Sequence, residues 1–174
     1  MELVLPSKGS IVYRHQSGDK KFRRFTNRLN SFVIFLYRIN FLPLFGVGKK
    51  LIILKTVGRK TGKIRRRPVL HKILYTNKMT LYCARGKNAD WLKNIFAAEN
   101  QVIKIQKGFR RMLVKATLVE PEEEKYKHLI YWCEKFKDAK NLFGYDKEEH
   151  GDIFETEEFM KLVRMLEFIQ LEPI

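Results

Sequence analysis

The chain has 174 residues, enough for one domain, and 45% of them are hydrophobic, so a wholly disordered protein is excluded. Its two cysteines, Cys83 and Cys133, are far apart in the sequence, which excludes a disulfide framework and a thiolate metal site. The formal net charge of +16 indicates that the protein attracts an anion.

The positive charge is concentrated in one part of the chain. Residues 1–118 carry 27 Lys and Arg against 4 Asp and Glu, whereas residues 119–174 carry 8 against 15. The densest segment, 49–72, has ten basic residues and no acidic one. Because ordinary surfaces mix both signs, this segment predicts a surface that binds a phosphorylated cofactor, a nucleic acid or an acidic lipid surface.

The N-terminal part, residues 1–42, is interpreted as a basic arm followed by a helix. Residues 1–24 show no clear period and are expected to be loosely packed, and Thr26 or Asn27 is expected to cap the helix. Apolar residues then recur at helical spacing as far as Pro43, on more than one side of the helix. Such a helix packs on the domain, lies on a membrane surface or meets the second subunit of a homodimer.

Residues 43–174 are predicted to form the cofactor-binding domain. Its strands, read from period-two patterns and turn residues, are expected at 51–57, 64–75, 79–85, 101–107, 109–119 and 165–171. Helical insertions are expected near 90–98 and 121–164, with an irregular acidic stretch at 138–154. The fold class is therefore α+β and mainly β, an antiparallel barrel of about six strands with flanking helices.

The segment Gly58-Arg59-Lys60-Thr61-Gly62-Lys63 is the first with chemical content. It is not a P-loop, because too few residues separate its glycines and neither Ser nor Thr follows Lys63. What remains is a basic hairpin turn bracketed by glycines. Its backbone N–H groups, with Arg59, Lys60 and Arg65, are suited to a phosphate, although a solvated surface turn has the same pattern.

This segment resembles the deazaflavin-dependent nitroreductase family, which includes F420H2-dependent quinone reductases. The first family motif is matched by Gly58, Arg59, Lys60, Thr61, Gly62, Arg65 and Pro68, with Val69 in place of Leu. The second is matched by Cys83-Ala84-Arg85-Gly86 and then Trp91-Leu92-Lys93-Asn94-Ile95. The resemblance covers residues 43–120, and the order and spacing of two motifs make it more specific than either alone.

The resemblance implies a split β-barrel that binds coenzyme F420, an 8-hydroxy-5-deazaflavin with a phospholactate and polyglutamate arm. By this resemblance, polar and basic residues of the hairpin face the anionic arm: Arg59, Lys60, Thr61, Arg65, Arg66 and Arg67. The edge of the ring is expected against Pro68, Val69 and Leu70. The segment of Tyr82, Cys83, Ala84 and Arg85 is expected to offer backbone groups to the ring edge and a cation to the phosphate. Trp91 and Asn94 are expected to shape the far wall.

The chain departs from the family pattern around the ring. Ala84 stands where Ser is usual, Lys87 where a second Gly is usual, and Leu92 where an aromatic residue follows Trp. These departures leave FMN as the alternative cofactor. Cys83 is also interpreted as a small apolar filler.

The function implied by the resemblance is an oxidoreductase in which a reduced deazaflavin gives a hydride to a flat acceptor such as a quinone or nitroaromatic. Tyr145 is the favoured acceptor-side residue, and His71 is interpreted as a partly exposed strand residue. The alternatives are an FMN-binding split-barrel reductase and a basic nucleic-acid-binding protein, which lacks a recognisable binding motif here. No metal is expected, and the location is expected to be cytoplasmic, with peripheral membrane contact through the N-terminal helix.

Overall fold

The computed structural model describes residues 5–174. The strands are β1 (Leu51–Val57), β2 (Ile64–Ile73), β3 (Met79–Cys83), β4 (Val102–Lys107), β5 (Arg110–Leu118) and β6 (Glu167–Pro173). The helices are α1 (Ile11–Gln16), α2 (Lys20–Arg38), α3 (Phe41–Leu44), α4 (Asp90–Phe96), α5 (Glu122–Lys135), α6 (Ala139–Phe143), α7 (Lys147–His150) and α8 (Glu157–Met165). Short 3-10 turns lie at Val47–Lys49, Gly86–Asn88 and Glu99–Gln101.

The six strands close into an antiparallel barrel in the order β1-β2-β3-β6-β5-β4. The β1–β2 hairpin is in register from Val57 opposite Ile64 to Leu51 opposite Leu70, and β4 closes the barrel on the other side of β1. This confirms the predicted fold class, because the structure is a split barrel with helices packed around it. A closed barrel leaves no free strand edge, so its surfaces are set by side chains and loops.

Two apolar cores hold the molecule together. The first fills the barrel with inward residues such as Ile52, Leu81 and Val114, and α4 covers one barrel end with Leu92 and Ile95. The second lies outside the barrel, between it and the C-terminal helices, and includes the fully buried Trp132, Phe159 and Phe168. Residues of β2 and β3 alternate between these cores, because successive side chains of a strand point to opposite faces.

The N-terminal region differs from the predicted arm. In the described part, α1 places Val12 in the helical core with no exposed surface, and Leu5 is buried beside it. Helix α2 begins at Lys20 because Asp19 Oδ1 accepts the Phe22 N–H at 2.9 Å, so the expected cap at Thr26 or Asn27 was wrong. Packing, rather than the periodicity of a six-residue helix, fixes α1.

The acidic stretch 138–154 is also more regular than predicted. It contains α6 and α7, and the turn between them uses Gly144 in the left-handed conformation, at φ 83°. Asp146 then caps α7 by accepting the Glu148 N–H at 3.0 Å. Two short helices of five and four residues leave little periodicity for a sequence reading to detect.

Helix α2 is anchored to the barrel along one side and bare along the other. Tyr37 is buried and donates a hydrogen bond from its hydroxyl to the Leu51 carbonyl at 2.6 Å. The opposite side and the following segment expose large apolar side chains: Phe25, Leu29, Phe32, Phe35, Ile39, Phe41, Leu44 and Phe45. We call these residues the aromatic face. Among the described residues, no helix is both long and apolar enough to cross a membrane.

Candidate functional site

A cavity of about 410 Å³ lies between the β1–β2 turn and the beginning of α4. Eight residues that the sequence assigned to the cofactor line it together: Arg59, Lys60, Thr61, Arg65, Arg66, Arg67, Trp91 and Asn94. Leu54, Thr56, Gly58 and Asp90 complete the lining. We call this cavity the cation pocket. The structure thus joins the two sequence motifs, which are separated along the chain, in a single site.

The turn itself is closed by its own hydrogen bonds. Gly58 N–H donates to the Lys63 carbonyl at 2.9 Å, and Gly62 N–H donates to the Gly58 carbonyl at 2.8 Å. Gly62 has φ +64°, where a side chain would be strained. The N–H groups of Arg59, Thr61 and Lys63 also donate within the protein. Most N–H groups of the turn are thus engaged within the protein, so side chains supply most of the donors that an anion in this pocket would meet.

Arg59 is held in place by α4. Asn94 Oδ1 accepts both the Arg59 backbone N–H and its guanidinium at 3.2 Å, and Asp90 Oδ1 lies 3.2 Å from the same guanidinium. Asn94, expected on the far wall, therefore anchors the turn to the helix as well. Sequence reasoning did not assign Asp90 to the site, although it is the one acidic residue between Asp19 and Glu99.

The remaining cations of the pocket differ in their exposure. Lys60, Arg65 and Arg66 are exposed, and none of them pairs with a carboxylate within residues 5–174. Arg67 is less exposed, and burial, together with the nearby positive charge of Arg85, lowers the pKa of its guanidinium. Because like charges are gathered here with one partly engaged carboxylate, the pocket favours an anionic ligand.

The wall of the cation pocket is apolar. Trp91 lies at the beginning of α4, half-buried against the barrel core, and Leu54 and Thr56 of β1 line the same cavity. An aromatic side chain beside a cluster of cations suits a ligand that combines a planar ring with a charged arm.

Several residues assigned to the ring edge are core residues instead. Val69, Tyr82 and Cys83 are at most 9% exposed. The Tyr82 ring packs edge-to-face against Trp132 and Phe143, at centroid distances of 5.2 and 5.7 Å. Burial raises the pKa of the Cys83 thiol to about 12. The side chains of these three residues belong to the two cores, and a contact of the ring with this region stays a prediction.

The other residues of the expected ring edge lie outside the cation pocket. Pro68 and Leu70 are half-buried, and Leu70 packs against the helical core. The Ala84 carbonyl accepts a hydrogen bond from Gln16 Nε2 of α1 at 2.7 Å. Arg85 lines a different cavity of about 420 Å³. Helix α1, which sequence reasoning missed, thus covers the strand end where the ring edge was expected.

Tyr145, the favoured acceptor-side residue, is 1% exposed. Its hydroxyl donates to the Gly151 carbonyl at 2.9 Å, and its ring stacks on His150 and contacts Phe154. These contacts make Tyr145 a core residue in this conformation, and its role toward an acceptor stays a prediction.

The fold and the site together define a split-barrel protein with a cationic, aromatic-walled pocket. The family model described as F420H(2)-dependent quinone reductase matches residues 42–145, more than half of the chain. The chain belongs to this family and is an oxidoreductase that depends on reduced coenzyme F420. The resemblance read from the two sequence motifs is thereby confirmed.

Similar solved structures include one named as an F420-H2 dependent reductase, FDR-A, at 18% identity and a TM-score of 0.42, covering 70% of this chain and 94% of that chain. A pyridoxamine 5'-phosphate oxidase-related, FMN-binding protein from Nostoc punctiforme is 13% identical at a TM-score of 0.48, and the match covers 83% of this chain and 78% of that chain. A conserved hypothetical protein from Mycobacterium tuberculosis is 11% identical at a TM-score of 0.47, and the match covers 76% of this chain and 78% of that chain. No curated protein matches.

Proposed function

We propose that the cation pocket binds the phosphate and glutamate arm of reduced coenzyme F420 and that the enzyme passes its hydride to a flat acceptor, a quinone or a nitroaromatic. The observation that carries this proposal is the convergence of five cations and Trp91 on one cavity. The acceptor class is suggested by the family description, which names a quinone.

The residues present fit the anionic arm. Arg59, Arg65 and Arg67 place three guanidiniums around the cavity, and guanidiniums bind phosphate and carboxylate oxygens in a bidentate manner. Asp90 is the one carboxylate of the lining and is already paired with Arg59. Lys60 and Arg66 add charge at exposed positions, where they can follow a flexible polyglutamate chain.

FMN is the weaker candidate for this pocket. A single terminal phosphate needs two or three donors, whereas the pocket offers five cations over the length of the turn and β2. A longer anionic arm uses more of them. The protein should therefore bind F420 more tightly than FMN, and a titration showing the reverse order would move the protein to the FMN-binding branch of split barrels.

When bound, the reduced deazaflavin supplies the hydride, and the chain supplies position and surroundings. Trp91, with Leu54 and Thr56, provides an apolar wall that keeps water from the ring. The Arg59–Asn94 hydrogen bond fixes the turn relative to this wall, so that arm and ring are positioned by a single rigid unit.

The proposal is tested by turnover. The protein is mixed with reduced F420 and a soluble quinone, with a nitroaromatic in a parallel assay, and the return of oxidised deazaflavin absorbance is followed. Trp91→Ala should weaken cofactor binding and slow turnover, whereas Trp91→Phe should keep the cofactor affinity and the turnover rate of the wild type. Turnover with reduced FMN but none with reduced F420, or an unchanged Trp91→Ala variant, would contradict the proposal.

The predicted peripheral membrane contact is a further part of the proposal. Helix α2 carries six basic residues and no acidic one, and it presents the aromatic face to solvent. Such a combination matches an anionic bilayer surface, because apolar side chains enter the interface while cations meet lipid phosphates. A quinone dissolved in the membrane would then lie close to the enzyme.

Vesicle cosedimentation tests this contact. The protein should bind phosphatidylcholine vesicles that contain phosphatidylserine and should not bind vesicles of phosphatidylcholine alone. Phe32→Ser with Phe35→Ser, at positions more than half exposed, should reduce binding without lowering stability. If the double variant binds vesicles as well as the wild type, or if the wild type does not bind them, the proposed membrane contact is contradicted.

A further inference from the structure

A second strongly positive cavity lies at the other end of the barrel. It measures about 880 Å³ and is lined by six lysines: Lys49, Lys50, Lys72, Lys107, Lys135 and Lys137. We call it the lysine pocket. It gathers the beginning of β1, the end of β2, the end of β4 and the end of α5, so elements distant in sequence converge on it.

The lysine pocket is separate from the cation pocket. His71, which lines it, follows Arg65 by six residues along the same strand, a distance of about 20 Å in extended backbone. The His71 backbone N–H donates to the Lys50 carbonyl at 3.0 Å, which places both residues at the end of the hairpin opposite the Gly58–Gly62 turn. The two cavities share no lining residue.

The charge of the lysine pocket is poorly balanced. Asp138 is its one acidic lining residue, and it is already engaged by Lys72 Nζ at 2.8 Å and by Trp132 Nε1 at 2.9 Å. The other five lysines make no ion pair anywhere in the part of the chain that the structure describes. Like charges that line one cavity repel one another, and an anion bound among them would offset this repulsion.

His71 adds a polar group to this cavity. It is 3% exposed, and its Nδ1 has no hydrogen-bond partner in residues 5–174, which is rare for a buried polar atom. Burial, then the positive charges of Lys107 and Lys72, lower the pKa of His71 to about 4. The imidazole is therefore neutral at neutral pH. The expectation of a partly exposed histidine was wrong, because His71 closes the barrel end.

The remaining wall is apolar and shapes the cavity. Phe136 and Ile73 line it, and Lys72 Nζ lies 4.1 Å from the centroid of the Phe136 ring. This cation–π contact, with the Asp138 pair, fixes Lys72 from two sides. The pocket therefore has one cation held by two contacts and five cations that make no ion pair in the described residues.

We propose that the lysine pocket binds a small multivalent oxyanion of the pyrophosphate class, independently of the cofactor arm in the cation pocket. A ligand with several phosphate oxygens can reach lysines from β1, β4 and α5 at once, whereas a monovalent anion cannot. The ligand would tie the end of α5 to the barrel end. The inference does not depend on which cofactor the cation pocket holds.

The His71 ring is a local reporter for this site. The charged groups facing it are Lys49, Lys50, Lys72, Lys107, Lys135, Lys137 and Asp138. A bound anion offsets the lysine charges that hold the His71 pKa down, so binding should raise that pKa. We therefore expect pyrophosphate to shift the His71 ring resonances in a nuclear magnetic resonance titration, and to shift the His71 titration midpoint upward.

The decisive comparison uses charge-removing variants. Lys107→Gln with Lys135→Gln should weaken the pyrophosphate affinity reported by His71 about tenfold or more. Lys115→Gln, an exposed lysine of β5 outside both cavities, and Arg65→Ala should leave it unchanged. Lys107→Arg with Lys135→Arg should retain binding, which shows that the charge, not the folding of the variant, is responsible.

Two results would overturn the proposal. If the His71 resonances do not respond to pyrophosphate while other signals do, the anion binds elsewhere. If Lys115→Gln weakens binding as much as the lysine-pocket variant, the interaction is a general effect of the +16 charge and no site exists.

Discussion

The charged and the ring-edge parts of the expected cofactor site are built in opposite ways. The cations of the cation pocket lie mostly at exposed positions, on and beside a turn that is closed by its own hydrogen bonds and fixed by Asn94. The ring-edge strand, β3 with Ala84, consists of buried side chains between two cores and is covered by α1. The first region can change its side chains without affecting the fold, and the second cannot.

This difference indicates which region of the chain can determine binding specificity. Lys60, Arg65 and Arg66 contribute little to stability because they are exposed and make no ion pair in the described residues, which leaves them available to a ligand. Cys83 belongs to the second family motif and Tyr82 directly precedes it, yet the surroundings of both are those of core residues. Proximity to a motif therefore does not distinguish a binding residue from a packing residue.

The largest expected effect is a loss of stability in the buried ring-edge strand. Tyr82→Ala should lower the free energy of unfolding by about 3–5 kcal/mol, because it leaves a cavity against Trp132 and Phe143. Chemical denaturation measures this loss. A variant with wild-type stability would show that Tyr82 is not a core residue and would restore it to the ring site.

The exposed side should behave in the reverse manner. Arg65→Ala should leave the unfolding free energy nearly unchanged and weaken F420 binding about ten- to a hundredfold, the loss of a charge-assisted hydrogen bond of roughly 1.5–3 kcal/mol. Fluorescence titration gives the affinity, with Lys115→Ala as the matched control. If both variants lose affinity equally, the effect is one of total charge and the pocket has no special role.

The pH dependence of stability tests the burial of Cys83 in the ring-edge strand. Its folded pKa of about 12 lies above the ordinary value of 9.0, so the folded chain keeps a proton that the unfolded chain releases. Stability should be unaffected below pH 9.0 and should fall as the pH rises above it, by up to about 1.4 kcal/mol per pH unit for this group. Thiol alkylation of the native protein should stay slow over this range, and rapid native-state alkylation of Cys83 would show that the strand is open.

The smallest effect concerns the cover over the ring-edge strand. Gln16→Ala removes the hydrogen bond to the Ala84 carbonyl and should cost about 1 kcal/mol of stability or less. If the deazaflavin ring uses this carbonyl, the same change should increase F420 affinity several-fold, since Gln16 no longer competes. An F420 affinity that falls would instead assign Gln16 to the binding site.

The barrel could be predicted from the sequence because its signals are local. Strand β1 agrees with the predicted 51–57 in both bounds, since a short apolar segment ends at a glycine turn. Other strands differ by one or two residues at their ends, where alternation fades. Helix α1 was missed because its formation depends on burying Val12 in a core made by distant residues.

The site was predictable in its charge and not in its burial. The cations of 59–67 and Trp91 were found because two motifs named them, and the structure gathers them in one cavity. Tyr82 and Cys83 point to opposite faces of β3, and the sequence allows the outer face to meet either a ligand or a second core. The placement of the C-terminal helices decides between the two. The pairing of Arg59 with Asp90 and Asn94 is likewise tertiary.

The central claim is that the anionic arm of F420 is bound by the cation pocket, and a thermodynamic cycle tests it most directly. Affinities are measured for F420 and for a truncated deazaflavin that lacks the phospholactate and glutamate arm. Each is measured with the wild type and with the double variant Lys60→Ala, Arg65→Ala. Loss of the arm should weaken binding to the wild type about ten- to a hundredfold and should weaken binding to the double variant much less. An equal loss in both proteins would show that the arm is bound elsewhere and would contradict the account.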